Sequence, residues 1–199
     1  EYLTIFNRFL ENGQIDVYPK KGKTGGAYCS GYGKLPTFVL LNHVDTVRSL
    51  ETLAHEMGHA IHTELSKSQP SRYRDYSTAT AEVASTFFEQ LISEEVEKKL
   101  SKKELIVLLH NRILGDIASI FRQIACFNFE LELHENIRKE GQMSKENIAK
   151  LMSKHLKSYL GDAVEVTDDD GYFSVCWSHI RRFFSDYTYA YGQLISRAL

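Results

Sequence analysis

The stretch Thr52-Leu53-Ala54-His55-Glu56-Met57-Gly58-His59-Ala60-Ile61-His62 constrains this chain more than any other. Its His-Glu-x-x-His spacing works only on a helix, where positions four apart lie over one another. His55 and His59 then point at one spot from adjacent turns and make half of a zinc site. Glu56 sits next to the first histidine, within reach of a water there without being a ligand. Leu53, Met57, Ala60 and Ile61 recur at helical spacing and give the helix an apolar face. Gly58 costs helix stability and adds no side chain, so another backbone is expected to pack closely there.

A third ligand must come from elsewhere in the chain. The spacing predicts a second helix over about 78–99, with Ala81, Val83, Ala84, Phe87, Phe88 and Leu91 as its apolar face. Glu82 falls within its small and apolar stretch, Thr80-Ala81-Glu82-Val83-Ala84-Ser85-Thr86. A carboxylate in that setting needs a partner, because an unpaired buried charge is very costly, and a zinc ion would supply one. Glu89 lies two turns further along the same face, where it would support a metal-bound group from outside.

The 199 residues fit one domain with length enough for a core. A net charge of −2 gives no electrostatic case for nucleic acid or an anionic membrane surface. No run approaches the roughly 18 apolar residues that span a bilayer, and the N-terminus has no signal pattern. Cys29, Cys126 and Cys176 are three in number, far apart and without paired metal spacing. They point to buried thiols in a reducing, cytoplasmic compartment. The start at Glu1, inside a helical pattern, leads us to expect a piece of a longer protein.

Ahead of the metal helix, the pattern predicts a short helix over 2–10. Three strands follow, at 14–18, 26–31 and 37–41, and form a small sheet. Lys20 to Gly26 reads as a flexible basic loop, since no Gly-Lys-Ser/Thr follows it. The metal helix itself is expected over 47–66. Beyond the second helix, 103–139 reads as one long helix or a pair, with Leu105, Leu108, Leu109, Ile113, Ile117, Ile120, Phe121, Ile124 and Phe127 as a core stripe. Ser144 starts a further helix to about 159, and Asp168 to Gly171 make a turn and helix cap. A last helix is expected over 172–197, with Phe183 and Phe184 in its core. That segment also places His179 ahead of Tyr187, Tyr189 and Tyr191, and neutral hydrogen-bond donors are what a hydrolase needs opposite its metal.

Four stretches, in order, resemble the catalytic C-terminal region of the oligoendopeptidase F family, relatives of thimet oligopeptidase. They are Ile15-Asp16-Val17-Tyr18 with Gly26-Ala27-Tyr28, then Leu53 to His59. Asp75-Tyr76-Ser77 leading to Ala81 to Thr86 follows, and His179 with Tyr187-x-Tyr189-Ala190-x-Gly192 closes the set. The resemblance implies a mainly α, zincin-like helical catalytic domain with a small β-sheet preceding the His-Glu-x-x-His helix. It implies His55, His59 and Glu82 as zinc ligands and Glu56 as general base. An edge strand around Gly26, Ala27 and Tyr28 would pair with the substrate backbone, and His179 with the tyrosines would face the scissile bond. One departure is visible: where members commonly have Phe-Tyr-Val-Tyr, this chain has Phe184-Ser185-Asp186-Tyr187. Full members also carry an N-terminal helical region that walls the substrate channel, which these 199 residues do not include.

The reading is a zinc-dependent endopeptidase that hydrolyses internal amide bonds of short peptides, with His179 and one or two of Tyr187, Tyr189 and Tyr191 donating to the oxyanion. Its partners would be short peptides, with neither nucleic acid nor membrane. Two alternatives stay open at this point: a zinc carboxypeptidase of related fold, and a non-catalytic peptide-binding fragment.

Overall fold

The computed structural model describes residues 1–199, and the chain divides into two compact units. The first comprises Glu1–Ile106 together with Gly192–Leu199, and the second Val107–Tyr191.

The first unit opens with α1 (Tyr2–Glu11), whose Ile5 and Phe9 face inward. Three short strands follow: β1 (Ile15–Asp16), β2 (Tyr28–Ser30) and β3 (Phe38–Leu40). They form one sheet in the order β1-β3-β2, β3 running parallel to β1 and antiparallel to β2. All three are shorter than the sequence pattern predicts. Pro19, Gly26 at φ +79° and Pro36 lie close to their ends, where the chain leaves extended geometry. Helix α2, which carries the His-Glu-x-x-His stretch, runs Val47–Ser66, as expected, with the Thr46 side chain accepting the Ser49 N–H at its N-cap. Phe9, Val39, Leu41, Met57, Ala60 and Ile61 close a core between helix and sheet.

Helix α3 (Thr78–Glu97) crosses α2 at very short range. A Cβ placed on Gly58 would lie 2.7 Å from the Ser85 Cα and 2.9 Å from the Ala84 carbonyl. The predicted close approach at Gly58 is therefore between helix backbones, and any side chain there would force the helices apart. At the other end of α2, Glu64 receives Arg8 at 2.6 Å and the Thr37 hydroxyl at 2.6 Å, and also meets Lys67. This network ties α1 and the β2–β3 hairpin to the metal helix.

In the second unit, α4 (Lys102–Asp116, entering it at Val107) continues through a π-helical turn, Ile117–Arg122, into α5 (Gln123–Glu140). The expected long helix is thus one rod with a wide turn in it. Its apolar stripe is only partly core: Leu108 is buried and Leu105, Ile120 and Phe127 are half-buried, whereas Leu109, Ile113, Ile117, Phe121 and Ile124 are exposed. Periodicity identifies a helix face but not what covers it. Helix α6 (Lys145–Leu160), capped by Ser144, packs Leu151, Met152 and Leu156 against Cys126 and Phe129.

The expected single helix over 172–197 is broken. A short helix α7 (Phe173–Cys176) stops at Trp177, whose ψ of 93° is not helical. Phe183 and Phe184 then adopt φ of +52° and +60°, a left-handed geometry that L residues resist. Both oxygens of buried Glu130 accept the Phe184 N–H, at 3.0 Å each, and hold the bend in place. Phe183 is 88% exposed rather than core. Helix α8 (Tyr187–Ser196) resumes beyond the bend. The cysteines also differ from expectation: all three are free, but only Cys126 is buried, Cys29 being half-buried and Cys176 exposed.

Candidate metal centre

Helix α2 delivers His55 and His59 from adjacent turns, and the close crossing at Gly58 brings α3 up against them. Glu82 enters from α3, 5% exposed. Its Oε2 lies 3.5 Å from the His55 Nε2 and 3.9 Å from the His59 Nε2. Within one group, His55, His59 and Glu82 each offer a donor atom, all within 4.8 Å of one another. Donors of a four-coordinate zinc, each about 2.0–2.2 Å from the metal, stand roughly 3.3–3.6 Å apart. The two separations from the Glu82 carboxylate to the imidazoles are close to that span, and two imidazoles with one carboxylate are a zinc-type donor set.

Burial shifts the ionisation of the same three groups. Burial pushes the Glu82 carboxyl up, against the pull of His55 and a hydrogen bond from the Ser85 hydroxyl. Burial, with the charges of His55 and His62, drives His59 down to about 3, so its ring is neutral and able to ligate. Burial also disfavours the charge on His55, but a hydrogen bond to Glu89 and the charges of Glu82, Glu89 and Glu56 keep its pKa above the ordinary value. The Glu89 Oε2 lies 3.1 Å from the His55 Nδ1, the support role its two-turn spacing predicts. A ring held through Nδ1 presents Nε2 inward.

Glu56 is buried beside this group and points toward the sheet. Burial pushes its carboxyl up to about 7; His55 draws it down, Glu82 raises it further, and the Cys29 backbone N–H lowers it. Strand β2 lies at the edge of the sheet with β3 as its one neighbour. Tyr28 is on that strand and half exposed, while Gly25 and Gly26 form a bend that leads into it through Ala27. The Asn42 amide fixes the bend by donating to the carbonyls of Thr24 and Gly26, at 3.0 and 2.8 Å.

The second unit holds His179, Tyr187, Tyr189 and Tyr191. His179 stacks on Trp177 with ring centroids 4.8 Å apart and meets Tyr189 edge-on at 5.6 Å. Burial, then Arg182 and Arg122, lower its pKa. Tyr187 packs edge-on against Phe127 at 5.6 Å, and Tyr191 is half exposed. Asp186, one of the residues that departs from the resembled pattern, is fully buried. Burial lifts its carboxyl to about 6; the Trp177 indole and Arg122 draw it down and Glu130 raises it. The indole Nε1 and both carboxylate oxygens nonetheless complete no hydrogen bond of normal geometry.

Two supports were not legible as such in the sequence. Tyr76 stacks on His62, centroids 3.9 Å apart at 16°, and its hydroxyl lies 2.8 Å from the Thr63 Oγ1. It thereby docks the start of α3 on α2. Gly192 meets α3 at Glu82 itself. Both residues fall in stretches that carry the resemblance, Tyr76 beside the cap residue Ser77 and Gly192 at the end of the last one, but the contact each makes depends on tertiary packing.

No helix is long and apolar enough to cross a membrane. In comparison with known proteins, the chain is 35% identical to oligopeptidase PepF of Bacillus subtilis, over 100% of this chain and 30% of that protein. It is 33% identical to an oligoendopeptidase F homolog of Borreliella burgdorferi, over 100% of this chain and 34% of that protein. A crystal structure from Chlamydophila abortus superposes with a TM-score of 0.72 at 27% identity, covering 96% of this chain and 33% of the other. PZ peptidase A, solved with an inhibitor, has the same fold, with a TM-score of 0.68 at 18% identity over 98% and 34% of the two chains. The chain thus spans about a third of the length of the curated relatives it matches. The model of peptidase family M3 matches residues 2–199, nearly end to end, and the chain belongs to that family.

Proposed function

We propose that this chain carries the metal chemistry of a zinc-dependent oligopeptidase that cleaves internal amide bonds of short peptides. The observation that carries the reading is the meeting of His55, His59 and Glu82, with buried Glu56 beside them. The names of relatives that span the whole chain, oligopeptidase and oligoendopeptidase F, support the substrate class. Free cysteines agree with a cytoplasmic setting.

His55, His59 and Glu82 would hold the metal. When bound, zinc supplies a Lewis acid that acidifies a coordinated water and polarises the scissile carbonyl. Glu56 takes a proton from the attacking water at its carboxylate and delivers it to the leaving amine nitrogen. The open edge of β2, with Tyr28, Ala27 and the bend at Gly26, offers main-chain groups for an extended peptide to pair with. His179 and one or two of Tyr187, Tyr189 and Tyr191 are assigned as donors to the developing oxyanion, an assignment supported by their chemistry and by the resembled motif.

The test is zinc content together with cleavage of an internally quenched peptide. One zinc per chain, with cleavage lost in Glu56→Gln, is the expected result. Cleavage of equal rate after complete zinc removal would overturn the reading.

A further inference from the structure

We infer that Gly192 is a positioning residue for the metal ligand Glu82, so that metal binding and the docking of the C-terminal end of α8 on α3 are one coupled event. The inference rests on Glu82 being a ligand, and it concerns how that ligand is held.

The backbone of α8 at Gly192 meets the turn of α3 that bears Glu82. A Cβ on Gly192 would stand 2.7 Å from the Glu82 Cβ, 2.9 Å from its carbonyl carbon and 3.0 Å from its carbonyl oxygen. Real Cβ atoms do not approach so closely, and the atoms met are backbone and the root of the ligand side chain, not a flexible tip. A hydroxyl completes the joint. The Thr86 Oγ1 lies 2.6 Å from the Glu82 carbonyl and 3.1 Å from the Gly192 carbonyl, so one proton is shared between the two helices. Thr86 and Glu82 are both buried, which keeps water from substituting.

On its other side the same turn is held by Gly58 of α2, whose missing side chain admits Ser85. Glu82 is therefore set between two helix backbones, each allowed in by a glycine. A carboxylate on so short a side chain can follow the histidines only if its Cα is correctly placed. The α8 backbone at Gly192 closes the side of that turn that faces away from Gly58. The converse follows by linkage: a cation that draws Glu82 toward His55 and His59 also holds α3 in the position that α8 recognises.

The experiment uses the 199-residue chain, metal-free and zinc-loaded, with chelator competition and hydrogen exchange as readouts. Zinc is expected to slow exchange of the amides from Gly192 to Ser196 in the wild type, and Glu82→Ala is expected to abolish that difference. Gly192→Ala is expected to weaken zinc affinity about tenfold or more, in the range found for groups that orient ligands. It should also alter the visible absorption of the Co2+-loaded protein, which a general loss of stability would not change. Thr86→Val removes the shared proton with little change of shape, and should raise exchange at Gly192 to Ser196 with zinc bound. Zinc binding by the wild type with no change in α8 exchange would overturn the inference and leave the metal site standing, even if Gly192→Ala does not fold. An unchanged zinc affinity and Co2+ spectrum in a folded Gly192→Ala protein would do the same. Failure of the wild type to bind zinc would overturn both readings.

Discussion

The Glu82 Oε2 and the His55 Nε2 stand 3.5 Å apart, on two helices joined by a loop. Neither helix could arrange this alone. The distance is fixed by the crossing at Gly58, by Tyr76 at the start of α3 and by α8 at Gly192. Removing the carboxylate should therefore cost metal affinity without unfolding the crossing. Glu82→Ala is expected to bind zinc ~100-fold or more weakly, beyond the 10–100-fold typical of losing an outer partner. Equilibrium competition with a chromogenic chelator measures it, and unchanged affinity would remove Glu82 from the ligand set.

Glu56→Gln is expected to retain zinc and lose activity by roughly 10²-fold or more, the usual scale of general-base catalysis. The amide keeps the size of the side chain but has no carboxylate to accept a proton. Parallel measurement of zinc per chain and turnover on one peptide separates the two effects. A variant that loses zinc and activity together would show that Glu56 supports the site rather than the proton transfer.

Tyr76 tests whether the start of α3 is held by ring stacking or by a hydrogen bond. Tyr76→Phe deletes the hydroxyl that meets Thr63 and should cost about 1 kcal/mol. Tyr76→Ala also deletes the ring stacked on His62 and should cost roughly 2 kcal/mol, less than a fully buried aromatic would. Urea unfolding of the two variants gives the comparison. Equal losses would assign the whole effect to the hydroxyl.

What could be read from the sequence was what is local. The bounds of α2 and the alignment of His55 with His59 follow from helix geometry within a few turns. Glu82 was legible because small apolar neighbours on its own helix marked it as buried. The end of the chain was not legible in the same way. Its helical pattern is overridden at Trp177 and at Phe183 and Phe184, where Glu130, distant in sequence, accepts the Phe184 N–H. The stripe on α4 has the right period, but exposure depends on what lies across from it, which no period encodes. Asp186 belongs to this second group, since nothing adjacent in sequence announces that it is fully buried.

That burial carries a pH dependence whose sign is fixed. The Asp186 carboxyl rises from an ordinary 3.8 to about 6, first because it is buried and also because Glu130 faces it, with Trp177 and Arg122 pulling the other way. A folded-state pKa above the unfolded value means that the folded chain binds the proton more tightly. Stability from this group is present below about pH 4, is lost as pH rises through about 6, and stays lost above that. At 1.36 kcal/mol per unit, the difference across that window is about 3 kcal/mol. Asp186→Asn cannot ionise, so it should lack this dependence and be the more stable protein at pH 8. Other carboxylates titrate in the same range, among them Glu132 and Asp170, whose partners hold them low. Their contributions are common to both proteins and cancel in the comparison. The quantity to measure is therefore the difference in unfolding free energy between wild type and Asp186→Asn, at intervals from pH 4 to pH 8. It should move in favour of the variant by up to about 3 kcal/mol as pH rises. A constant difference over the whole range would mean that Asp186 titrates alike in the folded and unfolded chains, and that its burial is relieved by solvent.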